Sequence, residues 1–138
     1  MTGRQDRVLV VDDDPQDLVV VVDDDRAVRE SLKFALEIEG LHVRVCASGQ
    51  ELLSDPALHQ ARCLILDYKM PGLDGIMVLQ RLAAAGVRIP AILITSHATA
   101  GLRRLAEAAG VRHILEKPLL GEVLLEHIHQ VMGPQAAP

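Results

Sequence analysis

Reactive side chains follow four apolar runs in this sequence. Two carboxylates, Asp23 and Asp24, follow four consecutive valines, Asp67 follows Leu-Ile-Leu, Thr95 follows Ile-Leu-Ile, and Lys117 follows Ile-Leu-Glu. Three clustered carboxylates repel one another, and a divalent cation such as Mg²⁺ together with one lysine would neutralise them. A phosphoryl group arriving at Asp67 would meet both positive charges. These residue types therefore favour phosphoryl transfer onto a carboxylate.

This chemistry requires the apolar runs to end at one edge of one sheet. Runs of this kind are typical of buried parallel strands, and the segments between them have helical periodicity. The alternation predicts an α/β fold in which five parallel strands are flanked by five helices and joined by right-handed crossovers. The predicted strands are 19–22, 41–46, 63–66, 91–95 and 112–116, and the predicted helices are 26–39, 49–53, 75–85, 99–109 and 120–132.

Capping residues set the predicted helix boundaries. Asp25 is expected to cap the first helix rather than to bind a metal, and Gly40 to end that helix. Ser48 and Glu51 form a capping box for the second helix, and Asp55-Pro56 is expected to end it. The apolar side chains of the first helix are expected to face the sheet: Val28, Leu32, Phe34, Ala35 and Leu36.

Composition narrows the class of protein. A length of 138 residues suits one domain. Its core must be aliphatic, since there is one Phe, one Tyr and no Trp. The net charge of −5 argues against a nucleic-acid interface, and no apolar run approaches the length of a membrane span. No long apolar run follows the initial residues MTGRQDR, so we do not expect a secretory signal. Cys46 and Cys63 lack metal-site spacing, so we expect free thiols in a reducing cytoplasm.

The N-terminus contains a repeat. The sequence VLVVDDD at residues 8–14 is echoed by VVVVDDD at residues 19–25. Only the second copy leads into a helix, so it is the predicted first strand. The first copy is interpreted as a tail, an added edge strand or a swapping arm. An alternative is that it displaces the second copy and brings Asp12 and Asp13 to the site instead of Asp23 and Asp24.

Four motifs resemble those of response-regulator receiver domains. They are VVVVDDDRAVRESL, LILDYKMPGLDG, AILITSH and ILEKP, in this order, and they span nearly the whole chain. The motifs starting with VVVV and AILI are most similar to the FixJ-like branch. The resemblance implies a flavodoxin-like sheet with strand order 2-1-3-4-5. In that order the strands that carry Cys46 and Cys63 are not neighbours, so no disulfide is expected.

The resemblance also implies a role for each site residue. Asp67 would be the phosphoacceptor, and Asp23 and Asp24 would hold Mg²⁺ with the backbone carbonyl of Lys69. Thr95 would be the switch hydroxyl, and Lys117 would face the phosphoryl group. The implied function is a phosphorylation-switched signalling domain. It would not be an enzyme beyond its own phosphotransfer and autodephosphorylation.

Partners follow from the same resemblance. A sensor histidine kinase or a phosphotransfer protein would donate the phosphoryl group. The face formed by the fourth helix, fifth strand and fifth helix would then bind a partner or form a homodimer. We expect residues 18–132 to be the receiver domain, residues 1–17 to be an atypical tail and residues 133–138 to be a disordered tail.

Two observations keep alternatives open. Ile114 stands where the family usually has an aromatic switch residue, although His113 could fill part of that role. Ile114 and the repeated strand favour a degenerate receiver that serves as a constitutive binding surface, whereas the intact acids, Thr95 and Lys117 argue against it. Asp23-x-Asp25 also resembles the nucleophile motif of haloacid-dehalogenase phosphatases. However, Ala27 departs from that motif, and Asp67 would have no role in it.

Overall fold

Five strands form a parallel sheet in this computed structural model, which describes residues 18–119 and 121–132. The strands are β1 (Leu18–Val22), β2 (His42–Cys46), β3 (Cys63–Asp67), β4 (Ala91–Thr95) and β5 (His113–Glu116). Their order across the sheet is β2-β1-β3-β4-β5, and each neighbouring pair is parallel. The predicted flavodoxin-like topology is confirmed.

Five helices cover the sheet on both faces. They are α1 (Arg26–Ile38), α2 (Gly49–Leu53), α3 (Gly75–Ala84), α4 (Ala100–Ala108) and α5 (Gly121–Met132). Predicted and observed boundaries differ by one residue at most, because capping side chains fix where the helices begin. Asp25, Ser48, Asp74 and Thr99 each accept a backbone hydrogen bond from the first turn of the following helix.

A short helix was missing from the sequence interpretation. Residues Pro56–Gln60 form a 3₁₀ helix, where we expected Asp55-Pro56 only to end α2. The Asp55 carboxylate accepts a hydrogen bond from Ala57 N, and Pro56 stands in the first turn, where its missing N–H has no consequence. This segment carries Leu58 into the core.

Two aliphatic clusters lie on opposite faces of the sheet. Alternate residues of β1 belong to different clusters, as expected for a strand that is buried on both sides. One cluster joins the sheet to α2, α3 and α4, and the other joins it to α1 and α5. The second copy of the N-terminal repeat is therefore the central strand, which contradicts the alternative that the first copy displaces it.

The prediction for Phe34 was wrong, because its side chain is 68% exposed. At 100° per residue, Phe34 lies about 200° around the helix from both Leu32 and Leu36, which are buried. Cys46 and Cys63 are buried free thiols, as predicted. No helix within residues 18–119 and 121–132 combines the length and hydropathy needed to cross a membrane. Residues 1–17 and 133–138, assigned above to tails, lie outside the described residues.

Candidate phosphoacceptor site

Three carboxylates meet at the carboxyl edge of the sheet. Asp23 and Asp24 follow β1, and Asp67 is the last residue of the neighbouring strand β3. One carboxylate oxygen from each residue lies within 4.8 Å of the other two. Asp23 and Asp67 are buried, at 1% and 5% exposure, whereas Asp24 is exposed. The cluster therefore opens to solvent on the side of Asp24.

Lys117 is the cation of this cluster. Its Nζ lies 3.4 Å from Asp23 Oδ2 and 3.4 Å from Asp67 Oδ1. It immediately follows β5, and Lys117 N donates a hydrogen bond to Thr95 O at the end of β4, so these two neighbouring strands position its backbone. Partial burial lowers the pKa of Lys117, but Asp67 and Asp23 outweigh that effect and raise its pKa overall. Lys117 is therefore charged at neutral pH.

The negative charge of the carboxylates around Asp67 is not fully compensated at neutral pH. Burial, and next the charge of Asp23, raise the pKa of Asp67 to about 6, although Lys117 opposes this shift. A single ammonium thus does not fully compensate the buried carboxylates. A carboxylate in this position is stabilised by a further positive charge, and it is partly ionised and able to act as a nucleophile near neutral pH.

One buried oxygen of the cluster lacks a hydrogen bond. Asp23 Oδ2 accepts none from the described residues, although it faces Lys117 Nζ. The other oxygen, Asp23 Oδ1, accepts a hydrogen bond from Asp25 N at 2.9 Å. A buried acceptor without a donor is costly unless a cation or water reaches it. The donor set, carboxylates with one solvent-open side, fits Mg²⁺, which takes oxygen ligands and keeps several waters.

The loop after β1 is held by its own residues. Asp25 directs its carboxylate to Ala27 N and Val28 N and so caps α1, as predicted. Arg29 Nη1 donates a hydrogen bond to Asp23 O at 2.9 Å, a contact that the sequence interpretation missed. Because Asp25 is engaged as a cap, it is poorly placed for the acid–base role that a phosphatase of the haloacid-dehalogenase type would require.

Thr95 links the site to the loop before α4. Its hydroxyl accepts a hydrogen bond from His97 N at 3.2 Å and lies 3.3 Å from His97 O, to which it can donate. Glu116 holds the same loop from β5, because its Oε2 accepts a hydrogen bond from Ala98 N at 2.8 Å. The sequence interpretation missed Glu116, which looks like an ordinary exposed acid at the end of a strand.

Lys69 follows β3 and lines the same open cleft, which has a volume of about 550 Å³. Tyr68, which connects β3 to Lys69, is held by two backbone hydrogen bonds. Tyr68 N donates to Ile94 O, and Tyr68 O accepts from Gly75 N, each at 2.8 Å. Asp67, Thr95, Lys69 and Lys117 therefore share one cleft with the acidic pair.

Ile114 and His113 face opposite sides of the sheet. Ile114 packs against the cluster that contains residues of α4, whereas the His113 ring contacts the His127 ring on α5 at a centroid distance of 4.6 Å. Adjacent residues of a strand point to opposite faces. The idea that His113 fills the place of the missing aromatic residue was therefore wrong.

Comparisons with known proteins agree with this architecture. A profile of the response regulator receiver domain matches residues 19–129. The response regulator MprA of Mycobacterium avium (strain 104) is 36% identical over 126 residues, covering 91% of this chain and 50% of that protein. MprA of Mycobacterium tuberculosis (strain ATCC 25177 / H37Ra) has the same identity and coverage. The chain thus spans about half the length of the curated relatives it matches.

Solved structures of receiver domains are also similar. A response regulator receiver protein from Burkholderia phymatum is 40% identical with a TM-score of 0.73, covering 88% of this chain and 98% of that one. FixJ-N is 31% identical with a TM-score of 0.76, covering 88% and 97%. The chemotaxis protein CheY4 of Vibrio cholerae shares the fold, with a TM-score of 0.79, 24% identity and coverage of 84% and 98%.

Proposed function

The chain belongs to the response regulator receiver family, a signalling family rather than a class of enzyme, and from this premise we propose that Asp67 accepts a phosphoryl group in an Mg²⁺-dependent reaction. The observation that carries the proposal is the buried Asp67 carboxylate, 3.4 Å from Lys117 Nζ and grouped with Asp23 and Asp24. The proposed donor is the phosphohistidine of a sensor histidine kinase or of a phosphotransfer protein.

In the proposed reaction, an Asp67 carboxylate oxygen attacks phosphorus as the bond to the donor imidazole breaks. Lys117 balances the charge that gathers on the phosphoryl oxygens, and the hydroxyl of Thr95 can donate a hydrogen bond to one of them. Asp23, Asp24, Asp67 and the Lys69 carbonyl would hold Mg²⁺, which neutralises charge on the transferring group. Water attack on the acyl phosphate would return Asp67 to its free form.

Thr95 is the proposed start of the switch. To donate to a phosphoryl oxygen, its hydroxyl must leave His97 O, 3.3 Å away, which frees the loop that precedes α4. That loop is also tied to β5 through Glu116. The added phosphoryl charge can therefore change the conformation of the face formed by α4, β5 and α5. The side chain of Leu105 on this face is 52% exposed. We propose that this face binds a partner or a second copy, with Ile114 packed beneath it in place of an aromatic residue.

The donor protein is proposed to bind beside the site. An apolar groove of about 650 Å³ lies between α1 and the segment after β5, and Lys117 is among its lining residues. Ala27, Val28 and Leu119 supply apolar surface there. A helix that carries a phosphohistidine could lie in this groove with its imidazole near Asp67. Free buried thiols at Cys46 and Cys63 support a reducing, cytoplasmic setting for this exchange.

The test is phosphoryl uptake from a small acyl-phosphate donor, measured by intact-protein mass spectrometry with Mg²⁺ or with EDTA. We expect one phosphoryl group per chain with Mg²⁺, none in Asp67→Asn, and unchanged uptake in Asp25→Asn, whose amide oxygen can still cap α1. Uptake that survives in Asp67→Asn would refute the assignment. Steady hydrolysis of a phosphomonoester that depends on Asp23 would instead favour the phosphatase alternative.

A further inference from the structure

The α3–β4 and α4–β5 connections share a sequence and a backbone structure. Residues 84–88 and residues 108–112 both read AAGVR. In each copy the glycine has a positive φ, 77° at Gly86 and 85° at Gly110, which is typical of the residue that ends a helix. In each copy the valine N–H also donates a backbone hydrogen bond of 2.9 Å to the carbonyl five residues earlier. The arginines that follow the valines are therefore held in equivalent positions.

These two arginines, Arg88 and Arg112, line one cavity at the amino edge of the sheet. The strands that they precede, β4 and β5, are neighbours, and Arg112 N donates a hydrogen bond to Ala91 O at the start of β4. Both arginines are exposed, and the cavity has a volume of about 480 Å³. Because Asp67 ends its strand at the carboxyl edge, the cavity is separate from the phosphoacceptor site.

The rest of the cavity is apolar. Apart from the two arginines, its lining residues are aliphatic, proline or glycine, and they include Leu79, Leu82, Val87 and Ile89. Leu79 and Leu82 belong to the core cluster between the sheet and helices α2 to α4, so they form a firm inner wall. A cavity with apolar walls and a few polar groups at its mouth is typical of a binding site for a ligand with both characters.

Neither guanidinium donates a hydrogen bond or forms an ion pair within residues 18–119 and 121–132. An arginine that served only to balance the negative end of a helix would donate to the last carbonyl groups of α3 or α4. Backbone N–H groups occupy these carbonyls instead, since Gly86 N donates to Ala83 O and Gly110 N donates to Glu107 O, each at 3.0 Å. The donors of both arginine side chains are therefore available to a ligand from outside the described chain.

The charge of the chain is unevenly distributed, and the cavity lies in its basic part. Residues 75–115 contain five arginines and one glutamate, a net charge of +4, in a chain whose net charge is −5. This range contains no lysine, so each cation in it is a guanidinium, whose planar fork can pair with a carboxylate through two hydrogen bonds. All five arginines are exposed. This part of the surface therefore suits an anionic partner.

We propose that this cavity binds an acidic peptide segment of a partner protein. An aliphatic side chain of the peptide enters the cavity, and its carboxylates pair with Arg88 and Arg112. The apolar walls favour a peptide over a nucleic acid, because phosphate contacts make no use of an apolar cavity. This binding does not depend on the proposed phosphoryl transfer, because Asp67 lies at the opposite edge of the sheet.

The test measures the fluorescence anisotropy of a labelled synthetic peptide, in which leucines are spaced between aspartates, as the full chain is added. We expect Arg88→Gln and Arg112→Gln each to weaken binding about tenfold, because each removes a charged hydrogen-bonding partner. Arg104→Gln is the matched control, because it removes the same charge from the basic part without touching the cavity lining. It should weaken binding about twofold at most. All three residues are exposed, so each variant should melt like the parent.

Changes in the probe separate the charged contribution from the apolar one. A peptide with lysines in place of the aspartates should not bind, and one with serines in place of the leucines should bind about tenfold more weakly. Ala83→Phe, which fills the cavity from its exposed rim without a change of charge, should weaken binding of the parent peptide to a similar extent. Equal binding of the serine peptide would overturn the role of the cavity.

Three further results would overturn the proposal. The acidic peptide would not bind at all, Arg104→Gln would weaken binding as much as Arg88→Gln does, or a DNA duplex would bind more tightly than the peptide through the same arginines. The last two results would indicate a general anion-binding surface.

Amide NMR during a titration with the same peptide locates the binding site. We expect shifts at Gly86, Arg88, Gly110 and Arg112, and the same shifts in Asp67→Asn. Shifts confined to the cleft around Asp67, or to the groove between α1 and the segment after β5, would contradict binding at the amino edge. Absence of phosphoryl uptake in the parent would count against the proposed function, while the peptide titration would still decide this proposal.

Discussion

Asp67 lies in surroundings that suit a reactive carboxylate and oppose folding. Burial and the charge of Asp23 raise its pKa to about 6. In the unfolded chain an aspartate has a pKa near 3.9. Between these values the folded protein binds more protons than the unfolded chain, so this residue's contribution to stability decreases as the pH rises from about 4 to 6.

Removing this carboxylate should therefore stabilise the metal-free protein at neutral pH. We expect Asp67→Asn in EDTA to raise the free energy of unfolding at pH 7 by about 1–2 kcal/mol, with the gain vanishing near pH 4. Urea unfolding across this pH range measures it. Mg²⁺ should reduce the difference, because it stabilises the parent more than the variant.

Asp55→Asn is the matched control, with the opposite sign. Arg44 lies 2.6 Å from Asp55, and this hydrogen bond lowers the pKa of Asp55. The stability that it contributes is present above the unfolded pKa and is lost as the pH falls through the folded pKa. We therefore expect Asp55→Asn to destabilise the protein at pH 7. A stability decrease in Asp67→Asn at pH 7 would contradict the electrostatic account of the site.

The sequence predicted which reactive residues meet, because carboxyl ends of parallel strands share one edge and each of these residues ends a strand. It did not predict the contacts that depend on side-chain direction. Glu116 and Arg29 look like solvated charges in the sequence, yet Glu116 accepts a hydrogen bond from Ala98 N and Arg29 donates one to Asp23 O. Only the packing of loops against strands brings these partners together.

Among the elements, the β3–α3 connection is closely packed at Gly75. A Cβ added at Gly75, the first residue of α3, would lie 2.9 Å from Asp67 O and 2.8 Å from Leu93 Cδ1. Both distances are shorter than ordinary contacts. The glycine therefore lets the start of α3 approach the end of the strand that carries Asp67.

Gly75→Ala should destabilise the protein by about 1–3 kcal/mol and shift the amide resonances of Asp67 and Tyr68. Gly101→Ala is the matched control, because its added Cβ would meet only Thr99 Oγ1, at 3.9 Å. Alanine in that open helical position should be neutral or stabilising by up to about 1 kcal/mol. Equal effects of both substitutions in urea unfolding would show that close approach is not the reason for Gly75.

Element boundaries were largely predictable, since a capping side chain acts on a helix within a few residues of itself. Asp25 and Ser48 illustrate this, because each caps the helix that begins at the next residue, as predicted. The 3₁₀ helix after Asp55 was not predicted, because five residues carry too weak a periodic signal. Phe34 was assigned to the wrong face because its hydrophobicity was given more weight than its angular position on α1.

At the scale of the whole molecule, the labelling rates of the two buried thiols measure how often the folded domain opens. Burial raises the pKa of Cys46 to about 11 and that of Cys63 to about 12. The reactive thiolate is thus scarce at neutral pH, and reagents reach it only after opening. We expect native-state labelling to be on the order of 1,000-fold slower than labelling in urea.

Labelling by a disulfide reagent, followed by mass spectrometry, measures this protection. A cysteine introduced by Ala108→Cys, on the exposed side of α4, is the matched control and should react at the rate of an open thiol. Cys63 lies in a central strand and should react only on global unfolding. Labelling of Cys63 at the rate of the control thiol would contradict the close packing of helices α1 and α5 over the central strands.

The sequence predicted the molecule as a whole because five βα units of ordinary length leave few topologies for a parallel sheet. It also predicted which copy of the repeat forms β1, because only residues 19–25 lead directly into a helix. It did not predict how the face formed by α4, β5 and α5 responds to phosphorylation. That response depends on the packing around Ile114 and on the loop that Thr95 and Glu116 hold.

The most direct test of the central claim is amide NMR with beryllofluoride, which mimics the phosphoryl group on an aspartate. With Mg²⁺ present, we predict shifts at Asp67, Thr95 and Lys117 that continue through α4 to β5, and no shifts in Asp67→Asn or in EDTA. Shifts confined to the acidic cleft would contradict the relay past Ile114. No shift at Asp67 would contradict its assignment as the phosphoacceptor.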